Sequence, residues 1–332
     1  MQMPRPNPDV LTRKAELVRR LHALLPSDSV ISDPVETKAY ECDGLSAYRC
    51  PPMAAVLPRS TQEVAAILKL CHEMNVPVVP RGAGTSLAGG ALPTADSLIL
   101  GVARMNDVLE TDYENRVIKV QTGRTNLSVT GAVEAQGFFY APDPSSQLAC
   151  AIAGNIAMNS GGAHCLKYGV TTNHILGVKF VTMQGEIIDI GGEAFDLPSY
   201  DLLGMIVGAE GQLGVVTEVT VRLMEKPEDA RPLLAGFDSA LDAGACVAAI
   251  MATGRTPVAI EFMDRPAIIA CERFTGAGYP VEAQALLIIE VEGNEEEIRE
   301  ELEFVESMAR AHGAVSIRVA EDFASAENIW KG

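Results

Sequence analysis

The chain has 332 residues, 48% of them hydrophobic, which is enough to bury a substantial core and to form more than one domain. Its formal net charge of -18, with Lys and Arg scattered rather than striped, removes the electrostatic term that draws proteins to polyanions and argues against DNA or RNA as partners. The seven cysteines, at 42, 50, 71, 150, 165, 246 and 271, are odd in number and form no C-x-x-C pair, so a disulfide framework or zinc ribbon is not expected and a reducing cytoplasm fits.

The opening segment, MQMPRPNPDVLTRKAELVRRLHALLP, places charges among its leucines every few residues and so lacks the apolar core of a signal peptide; it reads as an amphipathic helix. No uninterrupted apolar run approaches the roughly 20 residues that cross a bilayer, so no direct membrane insertion is expected and any membrane association is peripheral or through a partner. An irregular stretch, 33–52, precedes MAAVLP, a short apolar run suited to an edge strand. Ser60 to Glu63 (S-T-Q-E) predicts a capping box ahead of a helix whose buried face carries Val64, Ile67, Leu68 and Cys71. VPVVP reads as a strand, and RGAGTSLAGG then sets a glycine-rich turn at that strand's end, where backbone amides can face a ligand.

From Ser97 a second unit opens with SLIL, RVIKVQTG and a helix over about 126–136 stopped by Gly137. VKFVTM and EIIDI flank Gln184-Gly185, a hairpin signal, and Val215 to Leu223 alternates as a half-buried strand. Beyond Pro227 the order becomes LLAGF, a helix around 239–253, VAIEFM, a short helix, ALLIIEVEG, a helix around 294–312 and AVSIRVA, which predicts a split βαβ, ferredoxin-like unit. The acidic run NEEEIREELE is a solvated helix face with Asn294 as its N-cap.

Three glycine-rich segments carry the chemistry: PRGAGTSLAGG at 80–90, APDPSSQLACAIAGNIAMNSGGAHCLKYG at 141–169, and VGAEGQLGVVTE at 207–218. A diphosphate needs many backbone N–H donors at close range, and side chains larger than hydrogen hold the backbone away. Gly82, Gly84, Gly89 and Gly90 meet that need, Thr85 and Ser86 add hydroxyl donors, and Arg81 offers charge or else a surface ion pair. The small residues and amides of AGNIAMNSGG suit hydrogen bonding to the polar edges of a ring such as an isoalloxazine. The dinucleotide fingerprint fails, because RGAGTSLAGG lacks G-x-G-x-x-G spacing and is followed by ALPTADS rather than a long helix; a Walker A loop fails for want of G-K-[ST]. His164 and His174 lie near these segments, while His22, His72 and His312 fall on helices without ligand spacing, so no metal site can be assembled. Cys150 and Cys165 read as packing cysteines, with reaction toward a bound ring as the alternative.

In this order and spacing the three segments resemble the FAD-binding domain of the vanillyl-alcohol oxidase and p-cresol methylhydroxylase superfamily. They are most similar to the branch holding the glycolate oxidase catalytic subunit, cytochrome-linked D-lactate dehydrogenases and D-2-hydroxyglutarate dehydrogenase. The resemblance covers about 35–332. It implies an α+β protein: a two-subdomain FAD-binding domain of the p-cresol methylhydroxylase type over 49–227, preceded by an N-terminal helical segment over 1–48. An incomplete ferredoxin-like α+β cap domain follows over 228–332. The cofactor would contact Pro80, Arg81, Gly82, Ala83, Gly84, Thr85 and Ser86, then Pro142, Asp143 and Ser145. Gly154, Asn155, Asn159, Ser160, Gly161 and Gly162 would follow, with Tyr168 and Gly169, and finally Glu210, Gly211, Gly214 and Val216 as a backbone clamp; Glu210 has a helix cap as its rival role.

Two departures stand out. The family's C-T-I-G-G-N appears as Cys150 to Asn155, C-A-I-A-G-N, with one hydroxyl and one glycine fewer, which implies weaker flavin affinity. Thr85 stands where covalently flavinylated relatives carry His, which implies noncovalent FAD. The implied activity is oxidation of a D-2-hydroxy acid such as glycolate or D-lactate to the 2-oxo acid, with electrons leaving through an iron-sulfur subunit, a quinone or a cytochrome. The implied location is the cytoplasm, or the inner-membrane face through a partner. The family's divalent metal, its proton-accepting histidine and the arginine that anchors the substrate carboxylate belong beyond EDFASAENIWKG, so the chain is expected to end before the substrate site is complete and to turn over hydroxy acids poorly. The rivals are a noncatalytic flavin-binding subunit and, less consistent with LKYG and EGQLG, a reductase resembling the enolpyruvyl-UDP-sugar reductase.

Overall fold

The computed structural model describes residues 3–193 and 200–332; the first two residues of the opening segment lie outside them. The chain forms two compact units, Met1–Gly161 with Val170–Glu225, and Gly162–Gly169 with Lys226–Gly332.

In the first unit, β1 (Val30–Ile31), β2 (Ala54–Val56), β3 (Val78–Arg81) and β4 (Leu98–Gly101) form a sheet in the order β1-β2-β4-β3, with β2 and β3 parallel to β4. The helix Thr61–Glu73 makes the crossover from β2 to β3. Ser60 Oγ accepts from the Glu63 amide at 3.2 Å, as the S-T-Q-E pattern requires, but the Glu63 carboxylate accepts from the Arg59 amide at 2.7 Å, one residue before the cap. The edge position expected for MAAVLP is a correction: β2 lies between β1 and β4, and Ala54, Ala55 and Val56 are all fully buried. A three-residue apolar run gives no alternation from which one solvated side could be told from two covered ones. The opening helix Lys14–Leu24 buries Leu17 and Leu21 in the same core as Val64, Ile67 and Leu68, so these early residues are packed into the first unit.

The second sheet of this unit is antiparallel, built from β5 (Val108–Asp112), β6 (Val117–Gln121), β8 (Ile175–Thr182), β9 (Ile187–Gly191) and β10 (Gly214–Arg222), in the order β5-β6-β10-β8-β9; β7 (Phe138–Phe139) pairs separately with β11 (Met224–Glu225). Gly185, at φ +83°, turns β8 into β9. Along β10, Val215, Thr217, Val219 and Val221 are buried while Val216 and Glu218 are half-buried, the period of two seen in the sequence, which lapses at Thr220, buried on the opposite face. The helix Asn126–Val133 tightens into a 3-10 turn over Glu134–Gln136 and stops at Gly137, φ +80°, so only its first part is α-helical.

In the second unit, β12 (Asp229–Phe237), β13 (Ala259–Asp264), β14 (Ala285–Gly293) and β15 (Ala314–Val319) form an antiparallel sheet in the order β13-β14-β12-β15, the strand arrangement of a ferredoxin-like unit. One face packs Leu233, Ala235, Phe237, Leu287 and Ile289 with side chains of the helices Ala240–Ala252 and Glu295–Ala311. The opposite face packs Leu234, Leu286 and Ile288 with Ile268 of the helix Arg265–Thr275 and Ile329 of the helix Phe323–Trp330. Burial on both sides explains why ALLIIEV runs apolar without alternation. Asn294 caps its helix with bonds to the amides of Glu296 and Glu297, and the Glu297 carboxylate returns a bond to the Asn294 amide at 2.9 Å.

Candidate cofactor site

A cavity of about 280 Å³ opens in the first unit, and its wall brings together the three glycine-rich segments, with lining residues from Pro80 to Val216. From the first come Pro80, Arg81, Gly82, Ala83, Gly84, Thr85 and Ser86; from the second Gly154, Asn155 and Ser160; from the third Glu210, Gly211, Gly214 and Val216. Pro142, Asp143, Ser145, Asn159 and Gly161 do not line it, although Ser146 does, and Gly162, Tyr168 and Gly169 belong to the second unit.

The first loop is held in an unusual way. Among the described residues, none of the amides of Gly82, Ala83, Gly84, Thr85 and Ser86 donates a hydrogen bond within the protein. Backbone donors are nearly always paired when enclosed, so a run of five open ones on a cavity wall is a cradle for acceptors. Gly84 sits at φ +74°, and a Cβ there would lie 2.2 Å from Arg81 Nη2. The Arg81 side chain folds under the loop: Nη1 donates to the carbonyls of Cys42 at 2.7 Å and Ala91 at 3.3 Å, and the guanidinium lies 5.8 Å from the Tyr40 ring. The surface ion pair offered as its alternative is replaced by this internal clamp.

A segment read from the sequence as merely irregular braces the same loop. The Gly44 amide donates to Ser86 O at 2.9 Å, and a Cβ on Gly44 would sit 2.7 Å from Thr85 O. Asp43 Oδ2 accepts from the Gly89 amide at 2.8 Å, so that amide, counted among the open donors by sequence, is already engaged. The bracing spans more than 40 residues, and an Asp-Gly pair alone is only a turn signal, so sequence could not have placed it.

The other two walls rest on similar close approaches. Gly82 would bring a Cβ within 3.3 Å of Gly154 N, and Gly211, at φ +74°, within 3.3 Å of Pro80 Cγ. Glu210 has a left-handed backbone, φ +54°, and its amide donates to Ala157 O at 2.9 Å, so its place is in a turn locked to the second segment rather than at a helix cap. Cys150, which sequence reasoning treated as packing, is buried and lines the cavity, with Sγ 3.4 Å from Asn155 Nδ2. Asn159 takes the left-handed position that ends the helix Ile152–Met158, and its Oδ1 accepts from the Thr172 amide.

The second unit gathers charge instead. Glu290, whose side chain is only 9% exposed, accepts from Trp330 Nε1 at 3.0 Å and lies 2.6 Å from His164 Nε2. Glu292 on the same face of β14 meets Lys167 Nζ at 2.8 Å and the Tyr168 hydroxyl. Burial, reinforced by the bond to Glu292 and by its charge, pushes the Tyr168 phenol above its ordinary range.

Comparison with known proteins places this geometry. The FAD binding domain family matches residues 52–191, and the C-terminal domain of the FAD linked oxidases matches 226–332. The chain is 45% identical over 325 residues to the glycolate oxidase subunit GlcD of Escherichia coli, an alignment covering 98% of this chain and 65% of that protein. It is 31% identical to a D-lactate dehydrogenase of Anaerostipes hadrus, covering 95% of this chain and 68% of that one. In fold it resembles p-cresol methylhydroxylase, with a TM-score of 0.79 at 18% identity over 95% of this chain and 67% of the other. The chain belongs to the FAD-linked oxidase family, and the family's cofactor is FAD. It spans less than two thirds, 65%, of the length of the Escherichia coli relative. The residues fit the cofactor: five open amides and two hydroxyls suit a diphosphate, and glycines stand where a Cβ would close the walls.

Among the described residues, no helix is long and apolar enough to cross a membrane.

Proposed function

We propose that the chain holds FAD noncovalently in the cavity of its first unit and serves the oxidation of a D-2-hydroxy acid, glycolate or D-lactate in class, to the 2-oxo acid. The observation that carries the reading is the row of open amides from Gly82 to Ser86 on a wall completed by Gly154, Asn155 and Glu210 to Gly214. When bound, FAD supplies the two-electron acceptor. The protein's part is positional. The amides, with the Thr85 and Ser86 hydroxyls, hold the diphosphate, while Arg81 keeps the loop's shape from beneath. Thr85 offers no imidazole for a covalent link.

Among the described residues, the titratable groups lining the cavity are Arg81, Cys150 and Glu210. Arg81 is engaged with two carbonyls and Cys150 with Asn155, which suits a wall that binds and orients. The substrate class is taken from the relatives, a glycolate oxidase subunit and a D-lactate dehydrogenase, and the likeness to a subunit supports assembly with further chains; the reading adds an iron-sulfur electron carrier as one of them and the cytoplasm as the location.

The test is a titration of the protein with FAD followed by flavin fluorescence, then acid precipitation and anaerobic addition of substrate. Saturable one-to-one quenching, release of all yellow colour into the acid supernatant, and bleaching by D-lactate or glycolate but not L-lactate, slow in keeping with the poor turnover expected of this chain, are expected. Failure to quench with excess FAD overturns the cofactor assignment. Binding without bleaching by any 2-hydroxy acid overturns the substrate class.

A further inference from the structure

Asn126 lies 1% exposed at the start of the helix Asn126–Val133 and does not line the cavity, yet its side chain bonds to Asn155, which does. Its Nδ2 donates to the carbonyl of Pro142 at 2.9 Å and to Asn155 Oδ1 at 3.1 Å. A backbone carbonyl can only accept, so the Pro142 oxygen fixes which end of the Asn126 amide faces it. The same nitrogen then requires an oxygen from Asn155. The Asn155 amide is thereby turned so that Nδ2 lies 3.4 Å from Cys150 Sγ, whose thiol also reaches Oδ1 at 3.8 Å. That contact takes one of its two hydrogens, and the second has no acceptor among the described residues. Asn155 and Cys150 both line the cavity.

We propose that Asn126 is a positioning residue: it transmits the polarity of the Pro142 carbonyl to Asn155, so that this part of the wall presents an N–H donor, never a carbonyl, to an acceptor edge of the bound cofactor. The inference rests on the FAD reading above. It assigns a function to an asparagine remote from the three glycine-rich segments, and it explains why a polar pair is kept where both members are buried, a costly place for an amide that is not fully satisfied.

The test is a double-mutant cycle on FAD affinity, with Asn126→Ser, Asn155→Ala and the double variant, alongside the visible spectrum of bound flavin in each. Each single change is expected to weaken FAD about 10-fold, and the double variant about 10-fold as well, because Asn126 acts only through Asn155. The Asn126→Ser spectrum should match that of Asn155→Ala. If Asn126→Ser does not fold, Asn126→Ala serves: it removes the donor without setting a charge against the Pro142 carbonyl, and should lose affinity only while Asn155 is present. Equal losses in both Asn155 backgrounds, or no loss and no spectral change, overturn the proposal. Wild-type protein that fails to bind FAD overturns the cofactor reading instead.

Discussion

The loop Gly82–Ser86 and the segment Gly162–Gly169 are both short, glycine-bounded and polar, yet they are fixed by opposite means. The first is held by backbone and by Arg81, leaving the five amides of a cavity-lining loop without a partner in the protein. The second is held by side chains, with His164, Lys167 and Tyr168 on the two nearly buried carboxylates of β14. An open row of donors is a site awaiting an acceptor; a set of charges that satisfy one another is a fastening. Polar density alone does not separate the two, and the direction of the hydrogen bonds does.

That contrast can be pressed hardest at Gly84. Gly84→Val places a side chain at φ +74° against the guanidinium that supports the loop, a cost of about 3 kcal/mol from backbone strain and displacement together. FAD affinity should fall by about two orders of magnitude, read by fluorescence titration. Hydrogen exchange at 163–169 should be unchanged.

The complementary change is Glu290→Leu, which removes the carboxylate that the Trp330 indole N–H and the His164 ring share. It should cost roughly 2–4 kcal/mol and lower the melting temperature by several degrees, with faster hydrogen exchange over 163–169. If exchange there is unaffected, the carboxylate is not what holds the segment.

The smallest effect comes from pH. The Tyr168 phenol stays protonated in the fold above its ordinary value of 10.0, chiefly through burial and then through its bond to Glu292. Above that value the unfolded chain loses this proton and the folded one keeps it, so the contribution is whole below pH 10 and declines as pH climbs further. Because the ring is about half-exposed, the decline should be about 1 kcal/mol or less. Tyr168→Phe should flatten the alkaline limb of a melting-temperature profile; an unaltered slope would place the titration elsewhere.

Much of the architecture could be read from sequence because it rests on local periodicity. The cap at Ser60, the hairpin at Gly185, the alternation along β10 and the acidic helix after Asn294 all appear where the pattern put them. β2 was misjudged as an edge because three residues carry no period. The glycines of the cavity wall were legible through composition, since only glycine meets the φ of Gly84 and Gly211 without strain. Asp43, Gly44 and Asn126 were not, because each acts through a bond to residues far along the chain. Cys150 and His164 lay within the segments singled out, but the partner that defines each of them is set by folding.

The route of the chain has a practical corollary. It leaves the first unit at Gly161, enters the second, re-enters the first at Val170 and departs again at Glu225. No single cut therefore frees one unit intact: a piece ending at 225 would carry His164, Lys167 and Tyr168 away from Glu290 and Glu292. Genetic dissection of this protein calls for a splice joining Gly161 to Val170 as well as a stop codon, and random truncation would miss the true seam.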